Sequence, residues 1–507
     1  EKEITTGPDY PYTKYLPSTL SAGTLFISKM IAFVYFIKQF GFFYALILTL
    51  LCIHLFKYLT AKVFGLDYLL KIDKVFVSLN GNENVTVGGV IKIEDFDYEV
   101  IRKQIKERLF YKIPKLSAKL IHFLGELFWN TPRIKNISQK EKDSIADSRI
   151  VKAKVQGDLG LKQYLEDQVN TPLCVFVCPI EFHIIEIKED RDSKEQTKRG
   201  CLYIKLDHSF SDGLGIVSMI GFLDNEFDIN KYPDFMRRKL GLSYYIKAVY
   251  DFILACTLGW VWYFKYNLEI SKMDLKYKPF YNKETGEKKA SKTSKVSNMY
   301  SFNMDSIKAF GKKTKTSLND LIVYSVFKTL KKISPDSKKI LTIIPVGFSN
   351  LPSRTEDIEM YNKASGLIDN IPLPELKQAN NNKPANYKLF DVLGNMYKVR
   401  FIHILSVILS EMLPFTTFKA ITGKTMPELS VSNVPGPIKE LRIGKCRMTK
   451  ISPITNTSFL GIFVALSSYM GQINIYTSID KAVDIDPDEF SQMYGETLNN
   501  MTQGKED

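Results

Sequence analysis

Histidine is scarce in this chain: 507 residues hold five, at positions 54, 122, 183, 208 and 403, so chemistry that needs an imidazole has few places to sit. The six cysteines, Cys52, Cys174, Cys178, Cys201, Cys256 and Cys446, are scattered and mostly embedded in apolar runs. Cys174 and Cys178 stand four apart on a strand-like run and have no second pair at zinc spacing. That weighs against a zinc site or a disulfide framework and suits thiols in a reducing compartment. There is no Gly-x-Ser-x-Gly elbow, which removes the usual serine-hydrolase signature. Gly213-Leu214-Gly215 follows an expected strand, but Ser218 occupies the third glycine position of a dinucleotide fingerprint. Gly423-Lys424-Thr425 has Phe418 where a phosphate loop needs glycine, so neither nucleotide motif is complete.

What the chain has in quantity is apolar and basic. Apolar residues make up 45% and charged residues 24%, an ordinary globular balance that excludes a mostly disordered chain. The length sets two or three domains as the starting expectation. The net charge of +14 favours anionic partners: nucleic acid, acidic lipid or a phosphate-bearing small molecule. The 33 phenylalanines and 27 tyrosines lean towards lipid surfaces or apolar ligands.

Residues 40–56 (FGFFYALILTLLCIHLF) carry no charge between Gln39 and Lys57. Seventeen residues is the short end of a membrane span, and Tyr58 and Leu59 extend it if Lys57 snorkels. A second apolar run at 30–37 precedes it, so either one tilted helix crosses the bilayer or two short helices form a hairpin in one leaflet. No small-residue cleavage site follows, which argues against a signal peptide. Lys57, Lys62, Lys71 and Lys74 follow the run while Lys29 and Lys38 precede it. This bias turns the large C-terminal part towards the cytosol or the mitochondrial matrix. The expected address is the endoplasmic reticulum membrane, with the mitochondrial inner membrane as the alternative. Two further apolar stretches, 252–264 and 401–418, read as core helices. The Trp260-Val261-Trp262-Tyr263 cluster suits a headgroup boundary equally well.

Beyond residue 67 short β-rich runs alternate with helical patterns, an α/β organisation. Strands are expected at 75–79, 175–187 with a break near Pro179, 341–346, 460–466 and 472–478. Helices are expected from Gly213 through 223, at 304–312 and at 318–332. The lysine-rich stretch 265–298 reads as a linker between two lobes at 67–264 and 299–507, with 1–66 as the membrane segment. Asn380-Asn381-Asn382-Lys383-Pro384 is an expected surface loop.

Residues 201–207 (CLYIKLD) alternate cleanly, so Leu202, Ile204 and Leu206 share one face and His208 falls on it, with Asp207 turned the other way. Ser209-Phe210-Ser211-Asp212-Gly213 then turns into a helix. An imidazole is thereby presented at a strand end, and a neutral histidine held so is a competent general base. Asp212 is better placed to brace the loop than to touch substrate.

His208-Ser209-Phe210-Ser211-Asp212-Gly213 resembles the His-His-x-x-x-Asp-Gly motif of the wax ester synthase/diacylglycerol acyltransferase family, within the chloramphenicol acetyltransferase-like, CoA-dependent acyltransferases. Four more segments fall in that family's order: Thr171-Pro172-Leu173, Ser317-Leu318-Asn319-Asp320, Leu341 through Pro345-Val346, and Ser432-Asn433-Val434-Pro435-Gly436-Pro437. Asp207 stands where the family has its first histidine, and His208 matches the second, the catalytic base.

The resemblance implies a two-lobed fold, each lobe a mixed β-sheet with flanking helices, enclosing a tunnel, here with an N-terminal membrane helix added. It implies transfer of a fatty acyl group from acyl-CoA, a co-substrate rather than a bound cofactor, to a lipid alcohol such as diacylglycerol or a long-chain alcohol. Its catalytic set maps to His208, Asp212, Gly213 and Asn319. Substrate contacts map to Asp207, Asp320, Ser432, Asn433, Pro435 and Gly436, with no metal. The partners are membrane lipid and acyl-CoA, with no nucleic acid. The alternative is a catalytically lapsed member serving as a structural subunit among other subunits of a membrane complex.

Overall fold

The computed structural model describes residues 19–69, 85–124, 126–132, 137–188, 198–236, 241–270, 277–282, 284–291, 293–348, 350–352, 360–374, 395–413, 427–458 and 460–503, with isolated positions that include Asp73 and Val77. The first half of the chain runs α1 (Thr19–Phe64), β1 (Asp67–Tyr68), β2 (Thr86–Glu94), α2 (Tyr98–Gln104), β3 (Lys119–Phe123), β4 (Glu126–Asn130), α3 (Gln139–Ser148), β5 (Ile150–Gln156), α4 (Gly157–Asn170), β6 (Ile180–Lys188), β7 (Arg199–Asp207), α5 (Gly213–Leu223) and α6 (Leu242–Ile270). The second half runs β8 (Ser294–Val296), β9 (Tyr300–Asn303), α7 (Met304–Thr314), α8 (Leu318–Ile333), β10 (Lys339–Gly347), β11 (Ala364–Pro372), α9 (Met396–Met412), β12 (Leu429–Val434), β13 (Arg442–Ile443), β14 (Cys446–Thr455), β15 (Ile462–Tyr469), β16 (Gln472–Asp480) and α10 (Pro487–Gln503).

Two large sheets organise these elements. The first runs β13–β14–β2–β7–β6–β5, and the second runs β11–β10–β12–β15–β16–β8 with β9 also paired to β16. A small third sheet, β1–β4–β3, sits beside them. β7 is central in the first sheet, antiparallel to both β2 and β6. Leu202, Ile204 and Leu206 enter the main core on one face. Each such side chain contributes about 1.5–3 kcal/mol when fully buried. Cys201 and Tyr203 enter a second cluster on the other face, against Leu161, Leu165 and Val169 of α4 and Val296 and Tyr476 of the second sheet. The alternation seen in 201–207 therefore separates two buried faces. Asp207 is fully buried rather than outward-facing, because β7 is covered on both sides.

The two lobes are joined more closely than separate sequence blocks suggest. β13 and β14, from the C-terminal half, complete the first sheet by pairing β14 with β2, so the lobes interlock. The described residues of the 265–298 stretch are in part built into the fold. α6 runs into its start, Tyr277 and Phe280 are buried in the second core, and β8 joins β16. The strand expected from 175 begins only at Ile180, because Val177 and Cys178 donate N–H bonds to the Cys174 carbonyl in a turn. The expected strand at 75–79, except Val77, and the 380–384 loop lie outside the described residues.

Among the described residues one helix segment, Tyr44–Phe64, is long and apolar enough to cross a membrane. Lys57 does not snorkel from it. Its ammonium is buried and paired with Glu411 at 2.6 Å and Glu126 at 3.2 Å.

Candidate active site at the strand-to-helix motif

His208 is the first residue after β7, and its backbone is held at both ends. Its N–H donates to the Val85 carbonyl at 2.8 Å, at the mouth of β2. Its own carbonyl accepts from Asn362 Nδ2 at 2.7 Å. Asn362 lies just before β11, so the second sheet's approach segment grips the motif directly. Asn362 also donates its backbone N–H and its Nδ2 to Asp73 Oδ1, at 2.9 and 2.7 Å.

Below this grip is a buried charge pair. Burial pushes the Asp73 carboxyl up to about 6, and the nearby Lys115 ammonium acts against the rise. Burial pulls Lys115 down to about 8, with Asp73 resisting. The Lys115 ammonium donates to the carbonyls of Phe210, at 3.2 Å, and Met360. It lies over the rings of Trp129 and Phe210 at 5.1 and 5.2 Å. One lysine thus joins the His208 turn to the 360–363 segment.

Asp212 makes the second tie. Its Oδ1 accepts from the N–H groups of Leu214 and Gly215, at 3.0 and 3.1 Å, as the N-cap of α5. Its Oδ2 accepts from the Lys363 N–H at 2.9 Å. A single carboxylate starts the helix and binds the second lobe, which leaves it a positioning group. Asp212→Ala removes the cap and the cross-lobe bond together. Loss of a cap alone costs about 0.5–2 kcal/mol, so unfolding should shift by at least that much, read from denaturant midpoints.

The His208 ring is half-buried. Burial holds its pKa below the ordinary histidine value, with the Asp212 charge pulling the other way. The imidazole is therefore neutral at pH 7, the form a general base requires.

The remaining sequence-derived residues fall into two groups. Gly213 meets the distinctive C-terminal segment: a Cβ placed there would lie 3.0 Å from Val434 Cγ2. Leu214 and Val434 also pack on one cluster of Val217, Tyr232, Met236 and Leu351. Ser432 and Asn433 are half-buried on β12, in parallel register with Ala465 and Leu466 of β15. Pro435 follows the strand, and the Gly436 N–H donates to Ser468 Oγ at 3.2 Å. The 432–437 segment is thus brought to the motif.

Asp207 and Asp320 are occupied elsewhere. Asp207 Oδ1 accepts the backbone N–H of Ser209 at 2.9 Å and its hydroxyl, holding the turn that presents His208. Asp320 pairs with Ser317, the N-cap of α8, whose hydroxyl donates to Asp320 Oδ2 at 2.6 Å. These bonds give both carboxylates a part in turn and cap geometry. Asn319 is half-buried in the first turn of α8, where amide N–H groups are unsatisfied by the helix itself.

Asp73, Lys115, Asn362 and Lys363 are the residues that sequence reading missed. No local pattern marks them, since their partners are distant in the chain. Among the other histidines, His183 is buried on β6 between Tyr164, at 2.7 Å, and Glu181, at 3.1 Å. His403 packs near the Phe348 ring.

Comparison with known proteins agrees with this geometry. The family described as the WS/DGAT C-terminal domain matches residues 395–502. No curated protein matches the chain in sequence. The wax ester synthase/diacylglycerol acyltransferase from Marinobacter aquaeolei VT8 aligns over 86% of this chain and 99% of its own, with TM-score 0.51 and 13% identity. The trichothecene 15-O-acetyltransferase from Fusarium sporotrichioides aligns over 87% and 94%, with TM-score 0.55 and 12% identity. The first condensation domain of the calcium-dependent antibiotic synthetase aligns over 84% and 93%, with TM-score 0.51 and 9% identity. At these identities the likeness is one of fold. The chain thus shares its fold, over most of its length, with these acyltransferases and condensation domains, and within that fold residues 395–502 match the WS/DGAT C-terminal domain.

Proposed function

We propose that the protein is a membrane-associated O-acyltransferase that moves a fatty acyl group from acyl-CoA to a lipid alcohol, yielding triacylglycerol from diacylglycerol or a wax ester from a long-chain alcohol. The observation that carries this reading is His208: a neutral imidazole at a strand end, its turn gripped by Asn362 and Asp212 and flanked at Gly213 by the Val434 segment.

The step runs without an acyl-enzyme. The acceptor hydroxyl gives its proton to His208 as its oxygen bonds to the thioester carbonyl carbon. The carbon–sulfur bond then breaks, and the CoA thiolate leaves with the proton returned by the imidazolium. Charge on the carbonyl oxygen needs preorganised donors. Asn319 and the backbone at Ser432–Asn433 are the assigned ones, with Pro435 and Gly436 shaping the substrate path. Gly213 lets the helix start approach Val434. The basic surplus suits the phosphates of CoA. The endoplasmic reticulum membrane fits a lipid acceptor, with the mitochondrial inner membrane as the alternative.

The pH profile tests the base. A histidine acting as base works in its neutral form, so activity falls as pH drops through its pKa. Burial holds that pKa below the ordinary histidine value, so ester formation should reach its half-maximum only at a pH below 6.5. A half-maximum above 6.5 contradicts a buried His208 base. Absence of ester at every pH from a folded chain would assign it to the structural-subunit reading.

A further inference from the structure

α1 is a hairpin. Lys29 and Lys57 are 28 positions apart, about 42 Å along one straight helix. Yet both ammonium groups bind the same carboxylate, Glu126, at 2.6 and 3.2 Å. Lys29 also donates to the Glu411 carbonyl at 2.9 Å, and Lys57 pairs with the Glu411 side chain. The chain must double back between them. The reversal is at Gly41, with φ 78° and ψ 168°, a conformation that essentially only glycine takes without strain. From Gly41 the helix reaches Lys29 in about 18 Å and Lys57 in about 24 Å, both short of the roughly 30 Å hydrocarbon core.

The outer faces of this hairpin and of α6 share an inverted polarity. In α1 the inward groups are Lys29 and Lys57, while Val34, Ile47, Leu51 and Leu55 are more than half exposed. In α6 Asp251 turns inward to Arg400 and Glu269 to Lys339, whereas Tyr245, Val249, Ile253, Trp260, Val261 and Phe264 are exposed at helical spacing. α9 lies between them. It packs against both helices, and Phe401 meets the Trp260, Trp262 and Tyr263 rings. Soluble monomers seldom expose an apolar area of this extent. α1 contains no Asp or Glu, and its exposed charges are Lys38 and Lys62; those of α6 are Lys247 and Lys265. A face that is apolar with only cations at its edges matches an anionic lipid surface. Lys38 stands three residues from the bend, which an upright hairpin would carry deep into hydrocarbon at high cost. A shallow inclination keeps it among headgroups.

We infer that the protein is monotopic: the α1 hairpin and α6 form one membrane-binding platform in a single leaflet, and Thr19, at the start of α1, lies on the same side as the body. The full chain, tagged at its N-terminus, is reconstituted into sealed phosphatidylserine-containing vesicles. Added protease should remove the tag and cut the body in parallel. Protection of one with cleavage of the other overturns the inference in favour of a single span. A Lys38→Cys protein should react with an impermeant maleimide from the body's side. Reaction only after the vesicles are opened means that the bend crosses the bilayer, and overturns it too. For α6, brominated lipid should abolish most of the Trp260 emission of a Trp262→Phe protein, while Trp129 stays buried. Quenching no greater than in a Trp260→Phe/Trp262→Phe protein overturns the platform, and leaves α6 to a protein partner.

Discussion

Replacing His208 with alanine is expected to lower acyl transfer by ~10²–10⁴-fold, the usual cost of removing a general base. The fold should survive. Two of the hydrogen bonds at this position, to the Val85 carbonyl and from Asn362, use the backbone and remain available to alanine. The residue keeps some exposure to solvent, so truncation opens the site rather than sealing a cavity inside the core. Unchanged unfolding midpoints beside lost ester formation would assign the loss to chemistry. A variant that keeps wild-type turnover removes His208 as the base.

The second large effect concerns the charge cluster under the hairpin. Lys29 and Lys57 against Glu126 and Glu411 form a neutral group of four, with Lys57, Glu126 and Glu411 almost wholly buried. Glu411→Ala leaves Lys29 and Lys57 to share Glu126, with one positive charge uncompensated in a buried site. Breaking such a pair from one side costs about 3–5 kcal/mol, because the remaining charge stays desolvated. Replacing both partners, Lys57→Met with Glu411→Leu, should recover most of that loss, since apolar residues of similar size fill the site without a charge to bury. Unfolding midpoints in detergent, read as a double-mutant cycle, check both results. If Glu411→Ala were as stable as wild type, the cluster would not be what anchors the hairpin.

What the sequence makes legible here is what neighbours decide. The β7 strand followed by Asp212-Gly213 and α5 is written in a local alternation, an N-cap residue and an apolar helix. The pair β15 and β16 and the helices α7 and α8 follow from their own periodicity. The Ser432 to Pro437 segment is recognisable through its resemblance to the family's C-terminal signature. The grip on His208 is not, because Asn362 is 154 positions away and carries no pattern of its own. The same holds for Lys57 and Glu411, 354 positions apart, whose pairing turns an expected snorkelling lysine into a buried one. β14 looks like any amphipathic strand, and nothing local says that it will pair with β2 rather than join the second sheet. Asp207 departs from its expected outward placement for a related reason. Period-two alternation tells which residues share a face, and only the packing of α4 and the second sheet shows that both faces of β7 are covered.

The central claim is that this chain catalyses acyl transfer to a lipid alcohol. The most direct measurement is ester formation by the purified full chain in lipid vesicles, with a long-chain acyl-CoA and a panel of diacylglycerol, fatty alcohol and sterol. The account predicts ester from at least one acceptor, released with stoichiometric CoA and lost in His208→Ala. A folded, membrane-bound chain that forms no ester with any acceptor, or forms it equally well without His208, would contradict it.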